Sequence, residues 1–88
     1  MDYEKIIHTL VDDFVVHKDA VMIRQMPSEN EKEVLLMIFS DAEDTARLIG
    51  RKGMIADALR EVMSIAGKIE NKRIILKFES FDAEKDEE

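Results

Sequence analysis

The chain has 88 residues and a mass of 10.2 kDa, room for one domain and little more. Charged residues make up 38% and apolar residues 45%, a composition that folds. A chain this short buries only about 60–65% of its unfolded surface, which excludes multidomain enzymes, large cofactor sites and membrane bundles. The net charge of −7 is unevenly spread: between Arg47 and Lys77 eight bases stand against three acids, while the remainder holds five bases and seventeen acids. Over a screening length of about 10 Å a partner feels the basic segment more than the total, and asymmetry of this kind points toward contact with nucleic acid.

The longest unbroken apolar run, residues 34–39, is six residues long, against the ~20 that a membrane helix needs. Met1-Asp2-Tyr3-Glu4-Lys5 carries acids where a secretion signal carries bases. The absence of cysteine excludes a disulfide framework, a thiolate nucleophile and a Cys-ligated zinc. The expectation is a cytoplasmic domain over residues 1–81 with no membrane contact, followed by a disordered acidic tail at 82–88.

In chain order, Tyr3, Ile6, Ile7, Leu10, Val11, Phe14 and Val15 recur at steps of three and four, predicting an amphipathic helix over residues 2–17. A strand is predicted over 20–26, closed by the turn residues Pro27-Ser28-Glu29-Asn30. A second strand over 33–40 alternates Val34/Leu36/Ile38 with Leu35/Met37/Phe39; apolar on both faces, it reads as central and as the hairpin partner of the first. Ser40 with Glu43 three residues on has the form of a capping box, opening a short helix that stops at Gly50. A third helix is expected over 54–66, with Ile55, Leu59, Val62 and Ala66 as its core stripe and Gly67 as its end. A last strand is expected over 71–81. The two-helix crossover favours parallel pairing of the last two strands. The predicted fold class is α+β, in the order helix–strand–strand–helix–helix–strand, with three helices on one face of a three-stranded mixed sheet.

The chemistry concentrates at Gly50-Arg51-Lys52-Gly53. A glycine pair at a turn between helices lets the backbone approach a ligand with no Cβ in the way. The helix that follows adds N–H groups and the positive end of its dipole, and Arg51 and Lys52 add charge. Such a turn can hold a phosphodiester backbone while an adjoining apolar groove takes the bases.

Leu48-Ile49-Gly50-Arg51-Lys52-Gly53-Met54-Ile55 resembles the I-G-x-x-G-x-x-I signature of KH domains, RNA-binding modules that clamp about four single-stranded nucleotides. The element order resembles the type II, bacterial arrangement, and the stretch from Ala46 to Arg60 looks most like the small KhpA (YlqC-type) family. The resemblance implies an RNA chaperone or post-transcriptional regulator. It also implies self-association into a homodimer, or a heterodimer with a larger KH-containing protein of the KhpB (Jag) kind. Carried onto this sequence, Gly50 and Gly53 would permit close approach to phosphates, and Arg51 and Lys52 would neutralise them. Ile49, Ile55 and Leu59 would floor the groove with one side chain of the 34–39 strand, and Arg47 and Arg60 would steer RNA or contact a base. With one Tyr, four Phe and no Trp, the chain lacks the aromatic platforms that RRM or cold-shock readings require.

Other clusters read as structural. His8 and His17 are nine residues apart on the predicted helix and have no third ligand, so neither a metal nor any other cofactor is expected. His8 and Asp12 form a surface pair at i,i+4, and Asp41, Glu43 and Asp44 suit a helix N-terminus through its dipole. Neither a Ser–His–Asp set nor a Walker lysine can be assembled, so the chain reads as a non-enzyme. Met54, Ala58, Met63 and Ile65 exceed what one sheet face requires, which suggests a face for a second copy or a partner KH domain. The alternative function is therefore an interaction module with little RNA affinity of its own.

Overall fold

The computed structural model describes residues 1–81; the acidic segment 82–88, expected to be a tail, lies outside them. Asp2 caps the first helix, α1 (Tyr3–Val11), its carboxylate accepting the Lys5 N–H at 3.0 Å. The helix is six residues shorter at its end than the periodicity predicts. After Val11 the Phe14 N–H bonds back to the Val11 carbonyl at 2.8 Å, and Phe14, predicted on the buried stripe, is 48% exposed. Two physical causes are visible. Asp12 and Asp13 oppose the dipole at a helix C-terminus, and the N–H groups of Val16 and His17 are captured by Asp44, 28 and 27 residues further on.

The hairpin strands β1 (Met22–Met26) and β2 (Glu33–Ser40) pair antiparallel with Ile23 opposite Ile38, and β2 pairs parallel with β3 (Arg73–Ser80). The order β1-β2-β3 makes the doubly apolar strand central, as predicted. Val34, Leu36 and Ile38 of β2 align with Ile74, Leu76 and Phe78 of β3 on the face that carries the core. Onto that face α1 brings Tyr3, Ile7 and Val11, the second helix α2 (Ala42–Ile49) brings Leu48, and the third helix α3 (Met54–Ile69) brings Leu59, Met63 and Ala66. Three helices thus lie on one face of a mixed sheet, the predicted architecture.

Local chemistry departs from the sequence reading at two helix ends. Asp41, not Ser40, caps α2, accepting the Asp44 N–H at 2.8 Å; Ser40 closes β2, buried, with its hydroxyl 2.6 Å from that of Thr45. Gly67 does not end α3, which runs on to Ile69. The stop is Asn71 at φ 58: its N–H bonds the Lys68 carbonyl at 3.2 Å and the Lys72 N–H bonds the Gly67 carbonyl at 2.7 Å, a Schellman pair around a left-handed residue. Gly67 serves packing instead, since a Cβ there would sit 2.5 Å from the Lys72 carbonyl oxygen and 2.7 Å from Ile74.

α1 is tied to the end of α3 by Glu70, which accepts from the Tyr3 hydroxyl and from the Met1 amino group. Those two donors hold the Glu70 carboxyl below its usual range. Burial, with Glu70 alongside, pushes the Tyr3 hydroxyl up to about 12.

Candidate nucleic-acid interface

The loop between α2 and α3 is built by backbone conformation. At Gly50 (φ 77) the N–H closes α2 onto the Ala46 carbonyl at 2.9 Å. A Cβ there would run into Ile55 Cγ1 and come within 2.9 Å of the Ile55 nitrogen, so the position admits only glycine. Residues 51–53 form one tight turn in which the Gly53 N–H bonds the Gly50 carbonyl at 3.1 Å. Lys52 sits at φ 57 and Gly53 at φ 80, both left-handed, and with Gly50 three of the four loop residues have a positive φ. A non-glycine residue held this way costs about 1 kcal/mol, strain of the kind found at ligand clamps.

Gly53 differs from Gly50 in one respect: a Cβ there would meet nothing within 4 Å. Its outer side is open. No side chain caps α3, whereas Asp2 and Asp41 cap α1 and α2. Arg51 and Lys52 are exposed, and among the described residues their side chains enter no hydrogen bond or ion pair. The result is a small cationic backbone surface, uncluttered by side chains at its tip and followed by a helix N-terminus.

The other predicted site residues divide. Ile49 is exposed at the end of α2, Ile55 is half-buried beneath Gly50, and Leu59 is buried in the core. Arg60, on the next turns of α3, places its guanidinium carbon 5.5 Å from the centre of the Phe78 ring and lies 3.4 Å from Asp57. Arg47 is held back from the loop, donating to Asp44 at 2.8 Å. The expected contribution from the 34–39 strand is corrected: because β2 is central, its helix-side residues Val34, Leu36 and Ile38 are buried. Both α2 and α3 pack on the edge strand β3, and its Phe78, only partly buried, is the apolar side chain that flanks the helices. Sequence alternation put Phe78 on the correct face of its strand; that this strand lies at the edge is a fact of topology.

Sequence reading gave Asp44 only a place at a helix N-terminus and missed its buried role. It is fully buried, and its two oxygens accept the N–H groups of Val16 and His17, each at 2.9 Å, while Oδ1 also takes Arg47. His17 Nδ1 lies 2.8 Å from Asp41 and 3.7 Å from Asp44. Burial pushes the Asp44 carboxyl up, but the two backbone donors and Arg47 outweigh it and leave the group below its usual value of 3.8. With its oxygens so engaged, the His17–Asp41–Asp44 cluster acts as a clamp that fixes the start of α2, and through α2 the loop. Nothing local to Asp44 could have shown this, because its two backbone donors, Val16 and His17, lie 28 and 27 residues earlier in the chain.

The predicted partner face is also partly corrected. Met63 is fully buried, the central α3 residue of the core, while Val62, assigned to the core stripe, is 41% exposed. Leu59 and Ala66 stay on the core side as expected, but the buried stripe is shifted toward Ala56, Met63 and Gly67, of which Ala56 and Gly67 are small enough for close packing. The exposed apolar stripe consists of Met54, Ala58, Val62, Ile65 and Ile69. Beside it, Val62 and the α1 residues Ile6 and Leu10 line an open groove of about 370 Å³.

This order of elements, with a glycine-bounded basic turn between two helices on one side of a mixed sheet, defines a KH domain of the type II arrangement. Residues 4–78 match the family described as "KhpA/KhpB, KH domain", and the chain belongs to it. It is similar to the RNA-binding protein KhpA of Aquifex aeolicus, with 31% identity over 81% of this chain and 87% of the relative. It is likewise similar to the RNA-binding proteins KhpA of Clostridium acetobutylicum, 29% identical over 83% of this chain and 95% of the relative, and of Listeria monocytogenes, 32% identical over 83% and 93%. No solved structure matches the chain significantly. Among the described residues no helix is long and apolar enough to cross a membrane.

Proposed function

We propose that this protein binds single-stranded RNA in the groove between the Gly50–Gly53 loop and the edge strand β3, acting as an RNA chaperone or post-transcriptional regulator. The observation that carries the reading is the open space over Gly53, directly after two unpaired cations. Gly50 sets the turn and Gly53 admits a phosphate to the backbone, Arg51 and Lys52 neutralise it, and Ile49, Ile55 and the Arg60–Phe78 pair receive bases. Leu59 supports this floor from within, and Arg47 contributes long-range charge. Two or three neutralised phosphates, at ~0.7 each, give a salt slope of about −1.5 to −2.

The test is fluorescence anisotropy of a short single-stranded RNA with wild type and with Arg51→Asp/Lys52→Asp, at two salt concentrations. Wild-type binding, lost by at least about thirtyfold in a variant that melts normally, is the expected result; equal binding by both would reduce the loop to a turn. Thirtyfold is about 2 kcal/mol, the scale of one charge-assisted contact.

A second reading rests on the exposed stripe of Met54, Ala58, Val62, Ile65 and Ile69. A stripe at helical spacing beside an apolar groove suits an isologous contact between two copies, or a contact with a larger KH protein of the KhpB kind. Sedimentation of Ile65→Glu against wild type tests it: a folded monomer replacing a dimer is expected, and an unchanged mass refutes self-association through this face.

A further inference from the structure

The face of the sheet away from the helices carries an apolar ridge bordered by charged residues, with Glu33 and Arg73 closing one end of it, and no element among the described residues covers it. Strand register sets its composition row by row. Across β1, β2 and β3 the rows are Met22–Phe39–Glu79, Arg24–Met37–Lys77 and Met26–Leu35–Ile75. Met22, Met26 and Phe81 are each close to 40% exposed, and the Phe39 and Phe81 rings stack with centroids 6.3 Å apart. A sheet that faced only water would alternate polar residues here; this one keeps Leu35, Met37 and Phe39 as a ridge down its central strand.

We propose that this face docks one amphipathic helix of a partner protein, its apolar stripe seated on the Leu35–Met37–Phe39 ridge and acidic residues on both flanks. The charge pattern selects that occupant. Arg24 and Lys77 are exposed, in no ion pair among the described residues, and stand in one row on either side of Met37, about 10 Å apart by strand spacing. An α-helix is about 10 Å across, so carboxylates on its two flanks reach both cations while its stripe meets the ridge. Glu79, one row along, confines the acids to the middle of the helix. The three methionines adapt to the stripe they receive.

Size argues against a second copy. Three strands span roughly 14 Å, and strands of five to eight residues run about 17–26 Å, a few hundred Å² in all against the ~800 Å² per partner of a stable interface. RNA is disfavoured because Phe39 and Phe81 stack on each other and Glu79 stands beside Phe39.

The six methionines make the test direct, since Met22, Met26 and Met37 report on this face while Met1, Met54 and Met63 lie elsewhere. Methyl-labelled full-length protein is titrated with two synthetic helical peptides sharing one leucine stripe, one flanked by glutamates and the other by lysines. The expected result is movement of the Met22, Met26 and Met37 methyls by the glutamate peptide, at least about tenfold tighter than by the lysine peptide. Arg24→Glu/Lys77→Glu, both exposed positions, reverses the preference without altering the melting curve. Equal binding of the two peptides, movement of Met1 and Met54 alone, or no movement at millimolar peptide overturns the proposal. So does movement of the three face methyls by short RNA, by dilution of the protein alone, or by removal of residues 82–88.

Discussion

At the N-terminal end of α3, Gly53 faces open space and its basic neighbours are unpaired; at the C-terminal end, Gly67 is pressed against the Lys72 carbonyl, and Lys72 and Arg73 beyond the helix are engaged. Lys72 donates to the Glu31 carbonyl at 2.9 Å, and Arg73 lies 3.7 Å from Glu33. Both ends look alike as composition, glycine plus cations. The first keeps backbone and charge available, and the second consumes them in bringing β3 onto the helix. A glycine can mark a place where the protein touches itself or a place where something else touches the protein, and the neighbours of its missing Cβ separate the two.

The comparison is broken most severely at the packed end. Gly67→Ala forces a methyl against the Lys72 carbonyl and Ile74, and its expected cost is about 2–3 kcal/mol by urea denaturation, with unchanged RNA affinity in the folded fraction. Asp44→Asn changes the clamp remote from both ends. One backbone donor then faces an NH₂ group and Arg47 is released, so the variant melts lower at neutral pH. Because folding holds the Asp44 pKa below its unfolded value, its stabilisation is full above about pH 4 and is lost as pH falls through the folded value. The melting difference between wild type and variant therefore closes in acid. Gly53→Ala keeps open space around its methyl and pays only the left-handed penalty of about 1 kcal/mol, while RNA affinity measured by anisotropy falls by more than that stability loss explains. The smallest effect is expected of Arg73→Gln: stability within about 0.5 kcal/mol, and no change in the salt slope of RNA binding.

Much of this molecule was legible in its sequence. The limits of β2 and the stop at Gly50 follow from alternation and from backbone freedom, both local properties. Parallel pairing of the last strands followed from the length of the crossover. What was hidden depends on distant partners. α1 ends where Asp44 claims the next backbone donors, and neither the helix nor the acid announces the other. The partial shift of the α3 core stripe, which buries Met63 and exposes Val62 while keeping Leu59 and Ala66 inside, reflects a choice between two overlapping apolar stripes that hydrophobicity alone does not rank; small residues lie at 56 and 67 on the buried side. Among the site residues, the loop was visible as a motif, whereas Phe78 became a flank only once β3 was placed at the edge.

The position of the loop within the parallel crossover bears on how the protein comes into being. The segment from Ser40 to Arg73 must close before β3 can pair with β2, the more non-local of the two strand pairings and the one with the larger loop-closure entropy. Residues 50–53 sit in the middle of that segment, and Phe78 lies near its far anchor. A chain emerging from the ribosome can form α1 and the hairpin early, but it acquires the complete groove only when the last strand has been synthesised and has found its place beside β2.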